Sequence, residues 1–413
     1  MLCYLQINAN NYVRNSCYKG NQFNYGLHLL PLKPMVITVI HTISIVLFTS
    51  YAVLLFYYTY CWCTIPTFNF TQTKNATTIT IIIPARNEAA NIITCLNSIC
   101  LNNYPATCYQ IIVIDDYSTD ATAALVKNYT AENVLLLQLQ NFTHHNIIAY
   151  KKKAIEIGIE HATGELIITT DADCIVPVNW LQCIDSYYQQ TNAALIVMPV
   201  QFLHTPTMLS TFQSLDFMTL QGITGASVFK NMHSMCNGAN LAYTKKVFNQ
   251  VHGFKGIDNI ASGDDMLLMH KIFALYPHKI KYLKTPEVIV KTAPAATITH
   301  FFNQRIRWAS KADTYDDKRI FAVLLLVYIL NVWLVLLGIA SFFNAEILQL
   351  FLVALLLKTI IELIFLVPVA HFFAGKKLLW YFPLAQPFHI TYTIIAGWLG
   401  KFGSYSWKGR VVK

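Results

Sequence analysis

Four long apolar runs restrict this chain more than any other feature of its sequence. Residues 35–60 contain no Asp, Glu, Lys or Arg, and further apolar runs cover 320–343, 347–370 and 378–400. A helix of about 20 apolar residues crosses a hydrocarbon core of about 30 Å. The composition agrees, since 55% of the residues are hydrophobic and only 12% are charged. We therefore predict one N-terminal and two to three C-terminal transmembrane helices.

The last run leaves the number of spans open. Pro383 and Pro387 interrupt it. Lys and Arg are enriched on the cytoplasmic side of membrane proteins. If the region between the runs is cytosolic, Lys376 and Lys377 obey this rule, but a complete third span would place the basic tail 401–413 outside. The segment 378–400 is therefore either a re-entrant or interfacial helix or a true span.

The same rule conflicts with residues 1–34, which carry Arg14, Lys19 and Lys33 and precede the first run. We expect this extension to be disordered, or to precede a true start at Met35. The expected location is the inner (cytoplasmic) membrane, with several spans and a cytosolic domain. The formal charge of +9 comes without a long basic run. It fits contact with anionic lipid headgroups and phosphorylated substrates, and no nucleic-acid partner is expected.

Residues 77–311 alternate short apolar strands with helical patterns. Strand patterns at 77–84, 110–115, 133–139 and 165–170 are separated by helical patterns at 88–100, 119–129 and 152–162. This alternation predicts an α/β domain with a parallel, Rossmann-like sheet, whose ligands collect at the carboxyl ends of the strands. The sequence has no GxGxxG and no GxxxxGK[ST] motif. Neither a dinucleotide fingerprint nor a P-loop is therefore predicted.

Acidic residues follow two of these strands. Asp115 and Asp116 end one strand, and Asp171 and Asp173 come directly after another. Residues two apart in an extended chain point the same way. Paired carboxylates suit Mg²⁺ or Mn²⁺, which bind one or two protein carboxylates together with substrate phosphates. Helix capping is the alternative explanation, but adjacent acids repel each other, which favours a ligand.

Six motifs follow one another along the chain: IIIPARNEAANI (81–92), VIDDYSTD (113–120), GELIITTDADC (164–174), CNGANLAY (236–243), SGDDMLLMHK (262–271) and QRIRWASK (304–311). Their order resembles that of the family 2 glycosyltransferases. These are inverting enzymes of the GT-A fold, and they include cellulose and hyaluronan synthase-like enzymes and glycolipid-synthesising members. The resemblance covers about residues 78–311 and implies a domain that binds a nucleotide sugar.

The resemblance implies a nucleotide site and a metal site. Lys153 matches a lysine that the family places near the nucleotide, and Asp171 and Asp173 match its DxD motif. Asp173 is the expected direct ligand of Mn²⁺ or Mg²⁺. The residues expected around the base and ribose are Pro84, Ala85, Arg86, Glu88 and one of Asp115 and Asp116.

The resemblance also implies a catalytic base and an acceptor site. Asp265 matches the base, and Asp264 stands before it where many members have Glu. Gln304, Arg307 and Trp308 match the QxxRW signature, and their i, i+3, i+4 spacing puts them on one helix face. Gln304 and Arg307 are expected to hold the diphosphate and Trp308 to line the acceptor site. Without the resemblance, SGDD is a helix start and QRIRW belongs to an interfacial amphipathic helix.

Three further expectations concern the membrane. Arg305 is the residue of the QRIRW motif that we expect to be a simple membrane anchor. Residues 206–229 form either a helix that lies on the bilayer or part of the core. Lys358 and Glu362 stand i, i+4 within the run 347–370. We expect them to pair, since a charge at the bilayer centre costs about 2.5–3.5 kcal/mol.

The expected activity is metal-dependent, inverting transfer of a sugar from a nucleotide-diphosphate sugar, with UDP as the expected nucleotide, to a hydroxyl of a membrane lipid. A growing glycan is the alternative acceptor, which would make the protein a processive polysaccharide synthase. A third hypothesis is an inactive membrane scaffold that binds nucleotide sugars. The acids at the metal and base positions argue against the scaffold.

Overall fold

The computed structural model describes residues 34–70, 76–143, 147–232, 235–311, 317–407 and 410–412. The predicted N-terminal extension lies outside these residues, apart from Pro34. The described strands are β1 (Ile79–Ala85), β2 (Tyr109–Asp115), β3 (Val134–Gln138), β4 (Leu166–Thr169), β5 (Leu195–Val197), β6 (Val200–Phe202), β7 (Leu241–Thr244), β8 (Ile280–Tyr282), β9 (Val290–Thr292), β10 (Tyr405–Trp407) and β11 (Arg410–Val412).

A seven-stranded sheet with the order β3-β2-β1-β4-β7-β5-β8 forms the centre of the α/β region. The strands β1 to β4 run parallel, as predicted. The sheet as a whole is mixed, because β7 is antiparallel to β4 and β5. Ala85 is paired with Asp115, so the carboxyl ends of β1 and β2 lie side by side. The apolar side chains of these strands are buried on both faces of the sheet, which explains their unbroken apolar sequences.

Helices cover both faces of this sheet and continue into an apolar bundle. They are α1 (Pro34–Thr64), α2 (Ile92–Cys100), α3 (Thr122–Lys127), α4 (Tyr150–Glu160), α5 (Trp180–Thr191), α6 (Met208–Phe229), α7 (Lys245–Gln250), α8 (Met266–Leu275), α9 (Ile298–Ala309), α10 (Lys318–Ala340), α11 (Ala345–Phe372) and α12 (Phe382–Phe402). The strands β6 and β9 form a separate parallel pair beside the large sheet.

Three of the described helices are long and apolar enough to cross a membrane: α1, α10 and α11. This confirms the prediction of one N-terminal and two C-terminal membrane helices. The helix α12, which corresponds to the ambiguous run 378–400, is not among them. It begins after a short 3₁₀ helix, Lys376–Tyr381, contains Pro387, and packs against α9 and α10.

The helix α6 is part of the core. It packs against α1 and α11, and most of its side chains are buried. The contact with α11 is close, because a Cβ atom added at Gly222 would lie 2.6 Å from Cγ2 of Val369. Of the two interpretations of residues 206–229, burial favours the core. The helix therefore connects the sheet domain to the apolar bundle.

The two charged residues within α11 pair as expected. Lys358 Nζ lies 2.6 Å from Glu362 Oε1, and both side chains are buried. Gln386 from α12 accepts a hydrogen bond from Lys358 at 2.9 Å and donates one to Glu362. Tyr51 from α1 donates a further hydrogen bond to Glu362. Four polar side chains thus satisfy one another inside the apolar bundle.

Candidate active site

A cavity of about 310 Å³ opens where the parallel strands end. One side is formed by the segments after β1, β2 and β4, and the other side by α6, α9 and the start of α8. Twelve of the predicted site residues line it: Pro84, Ala85, Arg86, Glu88, Asp116, Asp171, Asp173, Asp264, Asp265, Gln304, Arg307 and Trp308. The fold therefore brings together side chains that are up to 224 positions apart in the chain.

Arg86 ties together the loops that follow β1 and β2. Its Nη1 donates to the carbonyl oxygens of Asp116 at 2.8 Å and Tyr117 at 3.0 Å. Asp115 lies just outside the cavity lining and is buried. Its Oδ2 accepts a hydrogen bond from the Ser118 N–H at 3.4 Å, whereas its buried Oδ1 has no partner among the described residues. An N–H group of a ligand would satisfy that oxygen.

The lysine at the site is Lys151 and not the predicted Lys153. Lys153 lies outside the cavity lining, where its ammonium contacts Glu156 at 2.8 Å. Lys151 Nζ lies inside the cavity, 2.8 Å from Asp171 Oδ1 and 3.3 Å from Asp264 Oδ2. Burial alone would lower the pKa of Lys151, but these two carboxylates raise it above its ordinary value. Lys151 is therefore a fixed cation between the DxD motif and the second acid pair.

The periodicity of α4 explains in part which of three consecutive lysines faces the site. Lys151 begins an i, i+3, i+4, i+7 series that continues with Ala154, Ile155 and Gly158, all buried against the sheet. Lys153 begins the series with Glu156 and Glu160, which is polar. This pattern was present in the sequence and disfavours Lys153, but Lys152, with Ile155 and Ile159 in its own series, fits it too, so only the fold separates Lys151 from Lys152.

The donor set around the DxD motif fits a divalent cation that also binds a ligand. Asp171 contacts Lys151, and Asp173 Oδ2 accepts a hydrogen bond from Thr292 at 3.1 Å. The described residues contain no group of three His, Cys, Asp or Glu side chains that could enclose a metal by themselves. Six acidic and four basic side chains line the cavity, which leaves a formal charge of −2. A divalent ion held by one or two carboxylates and substrate phosphates matches this set.

Asp265 caps a helix and also lines the cavity. Its Oδ1 accepts the Met266 N–H at 2.8 Å and so caps α8. Its Oδ2 accepts the Gly238 N–H at 3.1 Å, and Lys311 Nζ lies 3.9 Å from Oδ1. These contacts orient the carboxylate at the cavity wall. Burial would raise the pKa of Asp264, but Lys151 and Lys311 hold it below its ordinary value.

The helix α9 presents Gln304, Arg307 and Trp308 to the cavity, as their spacing predicts. The Trp308 ring packs 6.1 Å from the ring of Phe217, which belongs to α6. Arg305 is not a membrane anchor. It is 4% exposed, and its Nη2 lies 2.7 Å from Oδ2 of the equally buried Asp216. The sequence did not indicate that Arg305 is buried, because its partner Asp216 lies on another helix, 89 positions earlier in the chain.

The lining residues that were not assigned from the sequence include three that contact the acids of the site: Lys151, Thr292 and Lys311. Lys311 belongs to the QRIRWASK motif and follows the end of α9. Its contact with Asp265 at the start of α8 depends on how the two helices pack. Thr292 ends β9, which pairs with β6 and not with the large sheet. No local pattern indicates that a threonine from this small sheet reaches the DxD motif.

Comparisons with known proteins agree with this geometry. The model of the "Glycosyl transferase family 2" family matches residues 80–251. That of the "Glycosyl transferase family group 2" matches residues 166–398, more than half of the chain. The mannosyltransferase PcManGT from Pyrobaculum calidifontis, solved with GDP-Man and Mn²⁺, has a TM-score of 0.53 and 18% identity, with 87% of this chain and 98% of that chain covered. At this identity the likeness concerns the fold alone.

Two curated relatives match shorter segments. Glycosyltransferase AglE of Haloferax volcanii is 29% identical over 127 residues, which is 30% of this chain and 40% of the relative. The undecaprenyl-phosphate 4-deoxy-4-formamido-L-arabinose transferase of Shewanella sediminis is 32% identical over 105 residues, 24% of this chain and 30% of the relative. The chain thus spans less than half the length of either relative. The family matches show that this chain belongs to glycosyl transferase family 2, and the sheet and the likeness to PcManGT show its GT-A fold.

Proposed function

We propose that this protein transfers a sugar, with inversion, from a nucleotide-diphosphate sugar to a hydroxyl of a membrane lipid, and that a divalent cation is required. The observation that carries the proposal is the construction of the cavity. Its polar wall comes from the ends of parallel strands, and its opposite wall comes from α6 and α9, which pack against the apolar bundle. Donor and lipid acceptor can therefore meet in one place.

The donor would lie along the strand ends. Asp115, with its unpartnered buried Oδ1, and Asp116 would accept hydrogen bonds from the base and ribose, and Arg86 would hold both loops in place. Arg307 and Gln304 would bind the diphosphate from α9, where a guanidinium can engage two oxygens at once. UDP is the nucleotide that we propose. PcManGT was solved with GDP-Man, so GDP-linked sugars belong in the test beside UDP-linked ones.

Asp173, with Asp171 beside it, would hold Mn²⁺ or Mg²⁺ together with the diphosphate. When bound, such an ion neutralises negative charge that develops on the departing diphosphate. Lys151 adds a second, permanent cation on the same side. It also fixes the Asp171 carboxylate, because its ammonium donates to Oδ1 at 2.8 Å.

Asp265 would act as the general base. Its carboxylate takes the proton of the acceptor hydroxyl while the oxygen attacks the anomeric carbon from the face opposite the diphosphate. The new C–O bond forms as the bond to phosphate breaks, and the electron pair leaves with the diphosphate. The N–H groups of Gly238 and Met266 orient the carboxylate for this step.

The acceptor would lie between Trp308 and α6. Phe217 and Leu220 give this wall an apolar part beside the polar Gln221 and Thr224, and α6 contacts α1 and α11 behind it. The name of the relative from Shewanella sediminis, an undecaprenyl-phosphate transferase, is consistent with a lipid carrier. We propose an inner-membrane location with the α/β domain in the cytosol. Transfer of a single sugar is favoured because three candidate spans are few for enclosing a polymer path across a bilayer.

The test uses detergent-purified protein with Mn²⁺ or Mg²⁺, labelled nucleotide sugars and extracted membrane lipid, followed by sizing of the product. D265N is compared with D258N, which alters an exposed acid outside the cavity lining. One sugar on one lipid, lost in D265N and retained in D258N, supports the proposal. A ladder of products indicates a processive synthase. Tight nucleotide binding without transfer to any acceptor indicates a scaffold.

A further inference from the structure

We propose that Arg305 is the positioning residue of the QRIRW helix, and that it acts together with Asp216 and Tyr392. The inference rests on the proposed function, because it concerns the side chains assigned there to the diphosphate and the acceptor. In this view Arg305 touches no substrate. It fixes Gln304 and Trp308 in the orientation that the cavity requires.

The Arg305 guanidinium contacts both of those side chains. Its Nη1 donates to Gln304 Oε1 at 2.9 Å, which determines the orientation of the Gln304 amide. Its central carbon lies 4.3 Å from the Trp308 ring centroid and 4.8 Å from the Phe301 ring centroid. A planar guanidinium can stack on rings while its edge donates hydrogen bonds, which an ammonium cannot do. The Arg305 guanidinium therefore restrains Gln304 and Trp308, two of the three residues of the QxxRW signature.

The guanidinium is itself held from outside the helix. Asp216 on α6 accepts from Nη2 at 2.7 Å, and Tyr392 on α12 donates to the other oxygen of the same carboxylate. His389 Nε2, also on α12, lies 3.9 Å from that oxygen. The Asp216 and Arg305 side chains are each 4% exposed. Three helices thus meet at one buried carboxylate.

Stability alone does not account for such a pair. Removing two charges from water is costly, and well-packed apolar residues in place of a buried ion pair are often neutral or stabilising. The surroundings would suit an apolar pair, since Phe212, Phe301 and Ile306 form a buried cluster with Tyr392 at this point. What apolar residues would not supply is a fixed hydrogen bond to Gln304 and a stacked plane on Trp308.

This arrangement gives α12 a role other than spanning the membrane. The helix packs along α9 and supplies Tyr392 to the network. A change at Tyr392 should therefore reach the acceptor wall through Asp216 and Arg305, although Tyr392 does not line the cavity. The inferred chain of contacts runs from α12 to the reaction site through two residues.

The test separates positioning from neutralisation of the buried charge. R305M leaves the Asp216 carboxylate buried without its ion pair and is expected to lower stability, so the informative variant is the double substitution R305M/D216N, which removes both charges. We expect this variant to keep a melting temperature close to that of the wild type, while kcat/KM falls about 100-fold because the two side chains are no longer held in place. R305K, which keeps the charge but loses the planar fork, should also lose transfer.

A buried pair in the apolar bundle provides the control. K358M/E362Q removes a similarly buried ion pair whose hydrogen bonds go to Gln386 on α12 and Tyr51 on α1. Wild-type kcat/KM in this control, with a loss in R305M/D216N, supports the inference. Wild-type kcat/KM in R305M/D216N overturns it and shows that Arg305 only neutralises Asp216. An equal loss in both double variants also overturns it, because disturbed packing would then explain the effect.

A mutant cycle distinguishes failure of the inference from failure of the proposed function. In a W308F background, R305M/D216N should cause a smaller further loss than in the wild type, since one of the two residues that Arg305 positions is already altered. Additive losses would overturn the positioning role. Full transfer in both Q304A and W308F would overturn the roles assigned under the proposed function. A loss in those two variants with none in R305M/D216N would overturn the inference alone.

Discussion

Replacing Lys151 by Met should weaken both the fold and nucleotide binding, and the same change at Lys153 should do neither. Met keeps most of the apolar stem, so the change removes the ammonium that joins Asp171 and Asp264. Lys153 differs by two positions on the same helix and contacts Glu156 on the surface. K151M and K153M therefore make the same chemical change on one helix and differ in the contacts that are lost.

The expected magnitude follows from the burial of the two partners. Breaking a buried ion pair by removing one member costs about 3–5 kcal/mol. The Lys151 and Asp264 side chains are 20% and 12% exposed. We therefore expect K151M to lower the free energy of unfolding by about 3 kcal/mol, the lower end of that range. In a domain of this size 1 kcal/mol corresponds to a melting-temperature change of about 2–4 °C, which gives about 6–12 °C for K151M. K153M loses a half-buried i, i+3 pair on the helix, which is worth about 0.2–0.5 kcal/mol, so its melting temperature should stay within about 2 °C of the wild type.

The difference in melting temperature between K151M and the wild type should depend on pH. The pKa of Asp264 is held below its ordinary value, so the stability that its ionised form contributes is present above the ordinary carboxylate range near pH 4. That stability is lost as the pH falls through the lowered pKa of the folded state. The melting temperatures of K151M and the wild type should therefore differ most near pH 7 and converge as the pH falls from the ordinary carboxylate range through the lowered pKa of folded Asp264.

The assay is thermal unfolding in detergent across pH, combined with calorimetric titration of UDP and GDP. Loss of a charge-assisted hydrogen bond costs about 1.5–3 kcal/mol, so the Kd of the preferred nucleotide should rise about 10- to 100-fold in K151M. K153M should bind as the wild type does. An equal loss in K153M, or no change in K151M, would refute the assignment of Lys151 to the site.

Three further outcomes test other parts of the site and fold. T292V removes the hydrogen bond to Asp173 and should raise the Mn²⁺ concentration needed for half-maximal transfer about tenfold, whereas T292S, which keeps the hydroxyl, should not. G222A would place a Cβ atom 2.6 Å from Val369, so overpacking of about 1–3 kcal/mol should lower the melting temperature, whereas G338A, where the nearest side-chain atom lies at 3.3 Å, should change it less. Transfer should stop in excess EDTA and return on addition of Mn²⁺ or Mg²⁺, and activity that persists after chelation would contradict the metal requirement.

Much of the fold and the site follows from local sequence. Helices of uninterrupted apolar residues satisfy their own backbone in lipid, so the runs at α1, α10 and α11 were predictable from length and hydropathy. Parallel strands buried on both faces read as unbroken apolar segments, and their ends bring Asp116 and Asp171 to one edge of the sheet. The i, i+3, i+4 spacing put Gln304, Arg307 and Trp308 on one face of α9. Each of these features depends on neighbours close in sequence.

The sequence by itself therefore determined the membrane helices, the strand-end acids and the face of α9. Only the tertiary structure decided which charged side chains meet across elements. Arg305 is buried because α6 places Asp216 against it, and Lys151 lies at the site because α4 turns that residue toward the sheet. In the same way, α6 is core and not a surface helix because α1 and α11 cover it. The physical reason is that the partner which neutralises a buried charge, or covers an apolar face, lies far away in the chain, and no local periodicity encodes that distance.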